Sequence, residues 1–227
     1  MDLNHGTLHH AIIRSIVDNG DAATPDELAT RFGVGRDEIE TALRALDDYH
    51  GVVLHPGSFE VWVAHPFSLA PTSFRVWSDQ REWWSPCAWC ALGVVELVGG
   101  TGTITTQLGH SARQVMVQVE HGELLDTDLL VHFPVPMARA WDNVIYTCSM
   151  MLLFESETAV DTWCGAHRKP RGDVVPIDIV WNFAREWYGR HLDEDWAKWT
   201  AAEAAEMFAR HGLTGPIWDL PVSAERF

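Results

Sequence analysis

Four cysteines carry the reactive chemistry of this 227-residue chain. Cys87 and Cys90 lie in Trp83-Trp84-Ser85-Pro86-Cys87-Ala88-Trp89-Cys90-Ala91-Leu92-Gly93, and Cys148 ends the distant stretch Asn143-Val144-Ile145-Tyr146-Thr147-Cys148. Both stretches read as core-like, which makes Cys90 and Cys148 candidates for one shared site. A thiolate pair holds soft ions such as Cu(I), zinc or Hg(II). Two sulfurs sharing one such ion at bonds of about 2.3 Å should lie roughly 4 to 7 Å apart before it arrives. Cysteine also packs as a small hydrophobe, so each of the four taken singly fits a core position equally well. They are too sparse for a disulfide framework, and a reducing compartment leaves them free.

Other groupings use the same atoms. Cys87, Cys90, Cys164 and His167 form two halves, Cys-x-x-Cys and Cys-x-x-His, of a four-ligand structural zinc set. Cys87-Ala88-Trp89-Cys90 has the spacing of a redox pair, but no βαβ context precedes it. Of the 12 tryptophans, Trp83, Trp84 and Trp89 flank the cysteines and could wall an apolar pocket, with Gly93 supplying room. His9 and His10 read as solvated, and His110, His121 and His132 fall near turns or strand ends. Asp193-Glu194-Asp195 reads as the acidic start of the last helix. Arg168-Lys169-Pro170-Arg171 reads as a solvated basic loop.

The elements that must position these residues predict an α+β protein. Leu8, Ile12, Ile13 and Ile16 mark an amphipathic helix over 5–18. Thr24-Pro25-Asp26-Glu27 is a capping box with proline at the first helical position, opening a helix that stops at Gly33. A further helix over 36–49 and strands over 52–54 and 59–63 complete a winged helix-turn-helix pattern. A boundary near Pro66 divides the chain into a winged-helix-like lobe, 1–65, and a core, 66–227. A buried helix over 87–97 follows, then strands over 101–107, 114–120, 129–133 and 143–153, and helices over 157–167, 176–191 and 197–211.

Sixteen basic against 32 acidic residues give a net charge of −16, which repels phosphate backbones and anionic membranes. The second helix of the winged pattern is itself acidic, so no nucleic-acid partner is expected. There is no basic-then-apolar leader and no apolar run long enough to span a bilayer, which predicts a cytoplasmic protein without a membrane partner.

The order of parts resembles the organomercurial (alkylmercury) lyase family over about 24–191. Ala88-Trp89-Cys90-Ala91-Leu92 is similar to the family's first catalytic-cysteine motif. Cys148, ahead of Met150-Met151-Leu152-Leu153-Phe154, falls where its second lies, and Tyr188-Gly189-Arg190-His191-Leu192 resembles its C-terminal Asn-Arg-His-Leu segment. The resemblance implies a mixed antiparallel sheet-and-helix core and protonolysis of a carbon–mercury bond by two cysteines and an aspartate. It also implies a small-molecule organomercurial substrate, a thiol co-reactant and no separate cofactor. Two positions depart from the family: Gly93 stands where it has its aspartate, and its further cysteine, expected within 105–110, is missing. Glu96 is about 9 Å along the helix from Cys90 and on another side, so it does not replace the aspartate. Asp142 is a candidate substitute because it precedes the Cys148 segment; with glycine at 93 the chain is expected to capture mercury but cleave slowly, and Gly93→Asp is expected to raise cleavage. The rival readings are the same scaffold turned to a non-mercury substrate and a protein that only binds zinc or another soft metal.

Overall fold

The computed structural model describes residues 2–79, 81–109, 111, 113–125 and 127–221. The chain begins with three helices, α1 (His5–Asn19), α2 (Pro25–Phe32) and α3 (Arg36–Asp48). Local chemistry sets their ends. Thr24 accepts the Glu27 amide while Glu27 returns the bond to Thr24, and Pro25 occupies the first turn where no amide is needed. Gly33 closes α2 at φ +69°, a left-handed conformation that costs glycine nothing. The apolar faces, Leu8, Ile12, Ile13 and Ile16 of α1 and Ile39, Leu43 and Leu46 of α3, are buried.

Strands β1 (Val53–Leu54) and β2 (Val61–Ala64) follow, and β2 goes on to pair with β3 (Phe67–Ser68). The expected boundary at 65/66 therefore falls in a hairpin inside one sheet. That sheet adds β4 (Phe74–Ser78), β5 (Arg81–Ser85), β6 (Gly102–Gln107), β7 (Gln114–Glu120) and β8 (Glu123–Leu124), in the order β1-β2-β3-β5-β4-β6-β7-β8. A second antiparallel sheet joins β9 (Leu130–Phe133) to β10 (Leu153–Phe154) on one side and β11 (Asp173–Pro176) on the other.

Helix α4 (Ala88–Leu97) lies against β4, β5 and β6 of the large sheet, with α7 (Ile177–Tyr188) packed on its other side. Being covered all round, α4 is apolar all round: every residue from Ala88 to Val95 is buried. The remaining helices are α5 (Val144–Ser149), α6 (Glu157–His167) and α8 (Ala201–Arg210), with a 3-10 turn over Met137–Asn143. None of the described helices is long and apolar enough to cross a membrane.

Three expectations are corrected. The strand predicted over 143–153 is α5 followed by the short β10, because the Asn143 side chain accepts the Tyr146 amide and caps a helix that the β-branched Val144, Ile145 and Thr147 disguise. Asp193-Glu194-Asp195 do not open the last helix. Thr200 does, in a capping box with Glu203, while Asp193 pairs with Arg190. His9 is not solvated: it is 1% exposed, stacked on Trp196 at 3.6 Å and edge-on to His191 at 5.5 Å. His10 Nδ1 lies 2.9 Å from the Leu192 carbonyl, so both histidines clamp α1 to the segment after α7. His110 lies outside the described residues.

One core cluster runs from Leu8 to Trp218 and includes both sides of the 65/66 hairpin. We expect a single cooperative urea transition, with far-UV circular dichroism and tryptophan fluorescence coincident. Two separated transitions would show that the N-terminal helices fold independently.

The clamp also predicts acid sensitivity. Burial holds His191 down to about 3, with His65 nearby adding to it, and burial lowers His9 well below its ordinary value, with the neighbouring histidines adding to it. Both are lower folded than unfolded, so their stabilising effect is complete above about pH 6.5 and is lost as pH falls below it. Each such imidazole should cost about 1.4 kcal/mol of stability per pH unit through that window. The urea midpoint of His191→Leu should fall less steeply between pH 6.5 and 5 than that of the wild type; equal slopes would contradict this.

Candidate active site

The site is built at the N-terminus of α4. After β5, Ser85-Pro86 delivers Cys87 in extended backbone as the cap of the helix, and its Sγ accepts the Cys90 amide at 3.2 Å. The Cys-x-x-Cys spacing is thus the spacing of a helix cap and the residue one turn in. The second segment is tied to the same point: Ala88 donates its amide to the Met151 carbonyl at 3.1 Å, and Thr147 Oγ1 donates to the Ala140 carbonyl at 2.9 Å. Cys148 is brought in at the end of α5. Cys90 Sγ, Cys148 Sγ and a His65 ring nitrogen all lie within 4.8 Å of one another, at the short end of the expected sulfur spacing. His65 Nε2 is 3.6 Å from Cys148 Sγ, and the Tyr188 hydroxyl is 3.3 Å from Cys90 Sγ.

The three buried thiols are driven apart in acidity, Cys87 downward and Cys90 and Cys148 upward. Burial pushes the Cys87 thiol up, but hydrogen bonds from the Cys148 and Cys90 thiols and from the Cys90 amide outweigh it and hold Cys87 well below the ordinary thiol range. Cys90 is pushed well up by burial, with the charge on Cys87 adding to it. Cys148 is pushed well up by the hydrogen bonds it gives to Cys87 and Cys90, and then by burial. Burial lowers His65 to about 4, so its imidazole is neutral at pH 7. Tyr188 is held well above its ordinary value by burial and then by the charge of the cysteines, so it keeps its proton.

Cys90 and Cys148 open onto a cavity whose wall comes from three parts of the chain. The N-terminal part supplies His9, His50 and His65; α4 supplies Trp89; the stretch from Met137 to Met151 and the end of α7 with its following segment supply Trp141, Tyr188, His191, Trp196 and Lys198. The wall is mostly apolar. Five of its buried ring nitrogens, His9 Nδ1, His65 Nδ1, His191 Nδ1, Trp89 Nε1 and Trp141 Nε1, have no hydrogen-bond partner among the described residues. Such groups are costly to bury unmet.

Several sequence expectations are overturned. Trp83 and Trp84 are not in the wall: the Trp83 indole donates to the Ile16 carbonyl at 2.9 Å, and Trp84 lies under the Arg75 guanidinium. Gly93 is not in the wall either, because the Tyr188 ring fills the space beside it. The zinc set does not assemble. Cys164 sits in a separate small core, 3.7 Å from His132 Nε2, and His167 packs on Trp163. Among the described residues the one group with metal-ligand geometry is His65, Cys90 and Cys148. Asp142 pairs with Arg139 at the surface, Glu96 with Arg185, and among the described residues no carboxylate lines the cavity. Of the basic loop, Arg171 is bound to Asp161 and Glu157. Sequence reading missed His65, His9 and Tyr188; the one signal for the last was its place next to the Arg190-His191-Leu192 segment.

Residues 67–189, more than half the chain, match the sequence model of the alkylmercury lyases, MerB. No curated protein matches the chain in sequence. Among solved structures, the mercury-bound form of MerB2 superposes with a TM-score of 0.65 over 81% of this chain and 91% of that one, at 18% identity, a likeness of fold. The chain belongs to the alkylmercury lyase family.

Proposed function

We propose that this protein cleaves the carbon–mercury bond of organomercurials, with Cys90 and Cys148 as the catalytic cysteines that take the mercury while the hydrocarbon leaves. The observation that carries this reading is the meeting of those two sulfurs, from distant segments, within 4.8 Å at the floor of an apolar cavity. Mercury is soft and prefers thiolate to any oxygen or nitrogen ligand in that wall. The substrate reaches the cavity as an adduct of a small thiol. Its apolar group packs against Trp89, Trp141 and Trp196, and Cys90 displaces the carrier thiol. Cys148 then provides the second sulfur. Cys87, outside the cavity wall, serves as the acceptor that keeps both thiols turned to the same point.

In this reading the N-terminal part of the chain walls the cavity through His9 of α1, His50 after α3 and His65 of the β2–β3 hairpin, and does not read nucleic acid. The composition of α3 supports this: Arg36 is spent on Asp26 and Glu40, and Asp37, Glu38 and Asp48 are exposed along the same helix. The partner is therefore a small molecule, and a reducing cytoplasm would keep the thiols free.

Phenylmercury with excess thiol should yield benzene and protein-bound Hg(II) from the wild type. Cys90→Ser and Cys148→Ser should each reduce benzene release to that of thiol alone, whereas Cys164→Ser should leave it unchanged. No benzene from the wild type, or undiminished release from either of the first two variants, would refute the assignment.

A further inference from the structure

We infer that the Tyr188 hydroxyl is the catalytic acid of this site, giving its proton to the carbon that leaves mercury, and that Gly93 exists to admit it. The inference rests on the carbon–mercury reading above. Breaking that bond needs a proton at the carbon, and among the described residues the cavity wall holds no carboxylate to supply one. The Thr147 hydroxyl is committed to the Ala140 carbonyl, and Lys198 Nζ lies over Trp141 and 3.5 Å from His50 Nδ1. Tyr188 alone places a hydroxyl on a reactive sulfur, 3.3 Å from Cys90 Sγ. Its ring is fixed there: it is 2% exposed, tilted against Trp89 at 5.5 Å and edge-on to His191 at 5.0 Å.

Gly93 is what lets the ring in. A Cβ at this position would lie 2.2 Å from Tyr188 Cδ2, 2.6 Å from Cε2 and 2.8 Å from Cγ, so no side chain at 93 and this ring position can coexist. Glycine inside a helix costs about 1 kcal/mol relative to alanine. Here the cost is offset by a packed aromatic ring and a hydroxyl at the sulfur.

The step balances without a change of oxidation state. With R–Hg on Cys90, the Tyr188 proton goes to carbon, and the electron pair of the C–Hg bond becomes the C–H bond of R–H. The tyrosinate takes the proton of the Cys148 thiol, and the Cys148 thiolate bonds mercury. The sum is R–Hg–S(Cys90) plus HS(Cys148) giving R–H plus mercury held between the two sulfurs.

Tyr188→Phe keeps the ring and removes only the proton. It should bind phenylmercury and Hg(II) as the wild type does, while benzene release in a single turnover falls about 10²–10⁴-fold. Gly93→Asp alone should lose activity because its side chain meets the ring, whereas Gly93→Asp with Tyr188→Ala puts an acid in the vacated space and should release benzene faster than Tyr188→Ala. A fall below about 10²-fold in Tyr188→Phe would overturn the inference and give the proton to the Cys148 thiol. Loss of mercury binding in Tyr188→Phe would also overturn it, by making Tyr188 structural. A wild type that releases no benzene would remove the carbon–mercury reading itself, and the acid with it.

Discussion

The contact between α4 and α7 at Gly93 and Tyr188 sets the geometry of everything around the thiols. Because position 93 has no side chain, the Tyr188 ring settles directly on α4. That close approach also brings Trp89 into a stack with Phe183 at 4.7 Å and edge-on to Trp187 at 5.3 Å. Phe183 in turn packs on Phe208 and Trp218, so the last helix and the C-terminal segment hang on the same aromatic column. Interiors packed at this density do not deform smoothly. A side chain added at 93 would therefore have to move α7, and with it the aromatic wall of the cavity.

Electrostatics adds a second constraint. Cys87, Cys90 and Cys148 are buried together, and desolvation works against any charge there. At the cap position the Cys90 amide and the neighbouring thiols hold the Cys87 thiol well below its ordinary range against the cost of burial. Cys90 and Cys148 are pushed the other way, well above the ordinary thiol range, in the same apolar surroundings.

Much of this was legible in the sequence, and the exceptions share a cause. The buried helix over 87–97 and the capping box at Thr24 could be read because apolar runs and cap residues are local patterns, and the meeting of Cys90 with Cys148 because both sit in core-like stretches that resemble the family's two cysteine segments. The helix that carries Cys148 was hidden because Val144 and Ile145 look like strand residues and one Asn143 cap outweighs them. Trp83 and Trp84 adjoin the cysteines in sequence, yet strand alternation and the turn at Ser85-Pro86 leave them out of the cavity wall. Cys164 and His167 have correct ligand spacing on α6, but that helix packs in the smaller core. His9, His65 and Tyr188 arrive from remote elements, and no local spacing announces such a meeting. Gly93 was read as lost chemistry or spare room; which of these it is depends on a ring that enters from another helix.

The most direct measurement of the central claim is a crystal structure of the protein after exposure to phenylmercury. The account predicts one mercury bonded to both Cys90 Sγ and Cys148 Sγ, no aryl group in the cavity, and the Tyr188 ring still seated on Gly93. Mercury on Cys164, or on one cysteine with its aryl group retained, would contradict it.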